Sequence, residues 1–110
     1  NEIAKFHASV DDRFGFLAAH GFDVVKRTTI ADRYGSILFR GPYGEIAISW
    51  DAYDGGLEAT LNGANVWEIL VASGDWERPG YQGSTVEAIQ RGLDRIARYL
   101  SAHPSAGGLS

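Results

Sequence analysis

The order of apolar and polar positions divides the chain into a helix, a run of strands and a second helix. Ile3, Phe6, Val10, Phe14 and Leu17 recur at steps of three and four, which places them on one helical face. Gly15 interrupts that face, and Asp11 and Asp12 offer a cap from which a second short helix could start. In "AAHGF", Gly21 stands where a left-handed residue closes a helix, and Phe22 can fold back on Leu17. Beyond Gly21 the period drops to two. "DVVKRTTI" and "GSILFR" have the β-branched and apolar content of strands. "EIAISW" alternates strictly, with Ile46, Ile48 and Trp50 on one side, and "LEATL" alternates again past a pair of glycines. "VWEILVA" reads as a fifth apolar strand. "GPYG" and "NGAN" supply short turns, so the strands should be consecutive antiparallel neighbours.

Residues 73–83, "SGDWERPGYQG", have no period and form the longest irregular stretch. "STVE" follows as a capping box, with Ser84 as N-cap and Glu87 as its reciprocal partner. It opens a helix with the apolar stripe Val86, Ile89, Leu93, Ile96, Ala97 and Leu100. On the polar side, Glu87 with Arg91 and Asp94 with Arg98 are four apart in the favourable order, each pair contributing about 0.3–0.5 kcal/mol. The pattern predicts one α+β domain over residues 1–101: helix, five-stranded antiparallel β-meander, helix. The helices pack on one face of the sheet, against Ile46, Ile48, Trp50, Leu57, Ala59 and Leu61, and the other face is solvated. The tail 102–110, "AHPSAGGLS", shows no core pattern and is expected to be disordered.

Composition narrows the function classes. With 110 residues, 45% hydrophobic and 22% charged, the chain has the make-up of an ordinary globular domain. A formal net charge of −4 argues against a nucleic-acid partner, which calls for a basic patch. Cysteine is absent, so disulfides and thiolate metal sites are excluded and a reducing, cytoplasmic location is expected. No apolar run approaches the roughly 20 residues that span a bilayer, and "NEIAKFHASV" lacks the order of a signal peptide.

Candidate chemistry is sparse. Ser84 is accounted for by its cap, and no nucleophile elbow is present. His7 and Asp11 share a helical face at a spacing metals use, but no third ligand accompanies them. His20 lies in the last turn of the first helix, where its charge suits the dipole, and His103 lies in the tail. Asp51, Asp54, Glu58, Asp75 and Glu77 are the carboxylates available for acid–base work. The glycine pairs do not follow a strand and open a helix, so no phosphate cradle is present. In "SWDAYDGGLEATL" an EF-hand frame starting at Asp51 puts Tyr53 and Gly55 where oxygen ligands belong. The stretch is therefore expected to be a hairpin corner. An Asp54–Gly55 turn would set Asp51 against Glu58, and a Gly55–Gly56 turn would set Asp51 against Thr60. No metal and no cofactor is expected.

What remains is surface character. Asp51, Tyr53, Asp54 and Glu58 at the hairpin, with Asp75, Trp76, Glu77 and Tyr81 in the long loop, form a candidate acidic and aromatic surface for a protein partner. The alternative for Trp76 is a place at the edge of the core. "FGFLAAHGF" followed by "YGSILFRGPYGEIAISWD" resembles small bacterial α+β proteins, among them immunity proteins of polymorphic and contact-dependent toxin systems. The resemblance covers residues 3–100 at the level of layout. It implies a cytoplasmic, non-enzymatic protein that occludes a toxin domain, which would be basic if it is a nuclease. The alternative is a small-molecule-binding protein or small enzyme, with its pocket between the sheet and the 73–83 loop. Self-association through the apolar strands is a third option.

Overall fold

Alternation decides which face of the sheet is buried. Strands β1 (Asp23–Ile30), β2 (Tyr34–Gly41), β3 (Gly44–Asp51), β4 (Leu57–Leu61) and β5 (Ala64–Asn65) form one antiparallel sheet in the order β1-β2-β3-β4-β5. The computed structural model describes residues 1–109. Ile37 and Phe39 of β2, Ile46, Ile48 and Trp50 of β3, and Leu57, Ala59 and Leu61 of β4 are all buried on one side. The helices cover that side, giving the two-layer α+β arrangement.

Helix α1 (Glu2–Phe14) is capped by the Asn1 side chain, which accepts the Ala4 N–H at 2.8 Å. No second helix starts at Asp11. The chain tightens instead into a 3-10 turn over Gly15–His20, so Phe14 and Leu17 stay on the buried face. Gly21, at φ +81°, closes it, and the Phe22 N–H donates back to Leu17 O at 3.1 Å. Helix α1 crosses β2 at Gly35, where a Cβ would lie 2.9 Å from the Phe6 ring.

Three local expectations are corrected. The fifth strand is Ala64–Asn65, and "VWEILVA" is helix α2 (Val66–Ala72). The Asn62–Gly63 turn has positive φ at both residues, which suits a two-residue hairpin. Asn65 then caps α2 by accepting the Trp67 N–H at 2.8 Å. A helix buries Val66, Trp67 and Leu70 and leaves Glu68 in solvent, which no single strand face would achieve. The closing helix α3 (Val86–Ala102) is capped by Thr85, whose hydroxyl accepts the Ala88 N–H at 3.2 Å. Ser84 is not its cap, and the free Val86 N–H reaches the Glu2 carboxylate of α1 at 2.8 Å. The tail is not a frayed end. Pro104–Gly107 form a 3-10 turn, the Leu109 N–H donates to Pro104 O at 2.8 Å, and Leu109 joins the core. Ser110 lies outside the described residues.

Candidate functional site

The 73–83 stretch is tied to two elements. Its start continues α2, with the Asp75 N–H on Leu70 O at 2.8 Å. Its end lies along the edge of β4: Leu57 N–H donates to Tyr81 O at 3.0 Å, Gly83 N–H donates to Gly55 O at 2.9 Å, and Gly56 bridges to Gln82. The sheet edge is thus satisfied by a loop. The same pairing brings the 51–56 and 76–82 loops together at one end of the molecule.

Between these ties, three aromatic rings stack. Trp67, Trp76 and Tyr81 have centroid separations of 5.4, 5.4 and 5.5 Å. Each polar tip is matched, as buried aromatic donors require: Trp67 Nε1–H to Leu57 O at 2.8 Å, Trp76 Nε1–H to Gly80 O at 3.2 Å, and Tyr81 O–H to Ala88 O at 2.7 Å. Trp76 is only 9% exposed and belongs to the core cluster. Trp76 thus takes the alternative place at the edge of the core, and Tyr81 packs against it, half-buried.

Arginines cover this aromatic floor. The Arg91 guanidinium carbon lies 4.8 Å from the Trp76 ring centroid and that of Arg95 lies 5.9 Å away, both within cation–π range. Beside them opens a cleft of about 520 Å³ lined by Trp76, Glu77, Arg78, Tyr81, Gln82 and Arg91, with Pro79 and Gly80. Among the described residues, Lys5, Arg13, Arg27, Arg33 and Arg40 each lie within 4.0 Å of a carboxylate oxygen, whereas Arg78, Arg91, Arg95 and Arg98 have no such partner. The intrahelical pairs expected on α3 do not form. Arg91 turns to Trp76, and Asp94 takes Arg13 of α1 at 2.6 Å instead of Arg98.

Of the predicted acids, Glu77 lines the cleft with Arg78 and Arg91, Asp75 lines a smaller hollow with Arg95 and Arg98, and Asp51, Asp54 and Glu58 line neither. Asp51 Oδ1 accepts the N–H of Tyr53 at 2.8 Å and of Asp54 at 3.3 Å, and Asp54 Oδ1 accepts the N–H of Gly56 at 2.8 Å. The Tyr53 N–H, with help from the Asp54 N–H and Arg33 at 3.5 Å, holds the Asp51 carboxyl below the usual range. The hairpin takes neither expected register. Trp50 pairs with Leu57 and Ser49 with Glu58, leaving a six-residue loop closed by Asp51 N–H to Gly56 O at 3.1 Å. Glu58 lies on the outer sheet face, and Glu45, at the far end of β3, pairs with Arg40 at 2.6 Å. Asp75 accepts the Ser73 hydroxyl at 2.7 Å. Tyr53 is 74% exposed, with Arg33 over its ring at 4.9 Å.

Away from this end, His7 and Asp11 do share a face, and Arg27 lies between them. Its guanidinium donates to Asp11 at 2.8 Å and faces His7 Nδ1 at 3.2 Å. Arginine only donates, so His7 carries its proton on Nε2, which faces Thr29 Oγ1 at 2.9 Å and Thr28 O at 3.2 Å. Burial first, then Arg27, pushes His7 below its ordinary value. No three His, Asp or Glu side chains come together as a metal site among the described residues, and no helix there is long and apolar enough to cross a membrane. Comparison of the chain with family models, curated proteins and solved structures gave no match.

Proposed function

We propose that this chain is a protein-binding module that receives an acidic segment of its partner in the cleft between the 76–82 loop and α3. One observation carries the reading: Arg78, Arg91 and Arg95, none within 4.0 Å of a carboxylate oxygen among the described residues, stand around the aromatic floor in a chain of net charge −4. An unpaired guanidinium offers planar, bidentate donors to a carboxylate. Arg91 and Arg95 are also steadied on Trp76, which lowers the entropy lost when they engage. Tyr53, at the neighbouring hairpin tip, adds an exposed aromatic anchor. An immunity protein that occludes a toxin domain in the cytoplasm, by steric block and without chemistry of its own, is the most concrete form of this reading. The surface it would cover is acidic.

The test is capture from cells of the protein's source, with wild-type chain and an R78E/R91E variant as paired baits. A protein enriched by about tenfold or more on the wild type over the variant is expected, since breaking a desolvated charge pair costs roughly 2–5 kcal/mol. Equal recovery on both baits overturns the assignment. The cleft volume also falls in the range of about 300–1,000 Å³ typical of small-ligand sites. A small anion held by the same arginines is the second reading. It predicts that dialysed small-molecule extract, rather than any protein, stabilises the wild type and not the variant.

A further inference from the structure

The two edges of the sheet are treated differently. At β4, the Trp67 indole and residues 81–83 take up the outward backbone groups. At β1, no backbone segment other than β2 pairs with Asp23–Thr29 among the described residues, and the contact on the outside is His7 at Thr28 O. Strand β1 has no buried residue, and Val24 and Val25 are 43% and 45% exposed. An apolar groove of about 280 Å³, lined by Phe14, Leu17, Phe22, Phe39 and Val24 among others, opens beside its first half.

The β1–β2 register skips Val25. Val24 pairs with Phe39 and Lys26 with Leu38, so a bulge sits between them. In a regular strand, residues three apart face opposite sides. Here Asp23 lies opposite Arg40 and Lys26 opposite Leu38, both on the outer face, so the bulge brings Asp23 and Lys26 to one side. Neither has an ion-pair partner within 4.0 Å among the described residues.

We propose that the Asp23–Lys26 edge of β1 is the docking surface for a second copy of this chain, pairing antiparallel about a two-fold axis between Val24 and Val25. In that register Asp23 of each copy faces Lys26 of the other, and Val24 meets Val25 beside the groove. The interface is isologous, so each ion pair is made twice. Lysines and bulges ordinarily guard an edge against pairing. Here the bulge supplies the parity that lets the lysine meet its symmetry-related aspartate. A register centred between Lys26 and Arg27 would oppose like charges and is disfavoured. His7 blocks the edge at Thr28, which confines pairing to its first half.

Sedimentation equilibrium across micromolar to millimolar concentrations tests this. Wild type is expected to show a monomer–dimer equilibrium. D23K or K26D alone turns both attractions into repulsions and should weaken the dimer by about tenfold. The double variant D23K/K26D keeps the net charge of the wild type and restores the pairs with their signs exchanged, so its dimer should return to near wild-type strength. All three changes lie on an exposed strand, and matching far-UV circular dichroism verifies the fold. A wild type that stays monomeric, a dimer indifferent to the single changes, or a double variant no better than the singles overturns the proposal.

Discussion

In the 51–56 loop both aspartates are turned on their own backbone, Asp51 holding the N–H groups of Tyr53 and Asp54, and Asp54 that of Gly56. In the adjoining 76–82 loop and the α3 face above it, Arg78, Arg91 and Arg95 have no carboxylate within 4.0 Å among the described residues. Both loops are irregular, and they touch through Gly56 and Gln82. The first uses charge to hold a shape. The second gets its shape from stacked rings and leaves its arginines without an internal carboxylate.

The largest expected effect is at the floor of the second loop. Trp67→Ala removes a fully buried indole, its bond to Leu57 O and the base of the stack. Loss of about 3–5 kcal/mol is expected in urea unfolding. Tyr53→Ala, in the first loop, should change stability by less than about 0.5 kcal/mol because its ring is 74% exposed. Equal effects would show that the two loops do not differ in their dependence on packing.

The glycines come next. Gly55 has φ +83°, and a Cβ there would lie 3.3 Å from the Gly83 backbone, so Gly55→Ala should cost about 1–3 kcal/mol. A Cβ on Gly80 meets nothing within 4 Å and φ is not positive. Gly80→Ala should be neutral, or stabilising by up to about 1 kcal/mol through the unfolded chain. If the two substitutions cost the same, the hairpin loop is not the more constrained one.

These contrasts show what could be read from the chain. Strict alternation at Ile46, Ile48 and Trp50 locates the buried sheet face, because a one-residue slip would expose all three. The helix at 66–72 was legible in principle: Asn65 and Glu68 stand at cap spacing, the cue that located α3 to within one residue. An apolar run that fits either element hid it. The hairpin register was not legible, since aspartate side chains build a six-residue loop in place of a two-residue turn. The arginine cluster was hidden by a local rule. Glu87 and Asp94 stand four residues before Arg91 and Arg98, but Arg91 found Trp76 and Asp94 found Arg13, 81 positions away. A single apolar residue such as Leu109 has no period by which its burial could be foreseen.

Arg91→Ala sharpens the distinction between shape and charge. It removes an exposed cation from the Trp76 face, which should cost at most about 0.5–1 kcal/mol of stability. Wild-type partner binding should nevertheless be weakened by about tenfold or more, as for a charge that becomes desolvated only in the complex. Loss of stability without loss of binding would make Arg91 a packing residue.

The smallest effect is a pH dependence that separates His7 from both loops. Partial burial disfavours the charged ring, and with Nδ1 facing Arg27 protonation also adds a donor where a cation already stands, so the folded state favours the neutral form. The folded pKa is therefore below the unfolded value of about 6.5. The associated stability is fully present above that value and is lost as pH falls through the folded one. Asp51 acts in a separate, lower window: its carboxylate is favoured by the Tyr53 N–H, so its contribution is held above about pH 4 and lost as pH falls further. Urea midpoints should thus decline in two stages. His7→Gln should abolish the first and leave the second, and Asp51→Asn should do the reverse. A first stage that survives His7→Gln would remove the histidine–arginine contact as its cause.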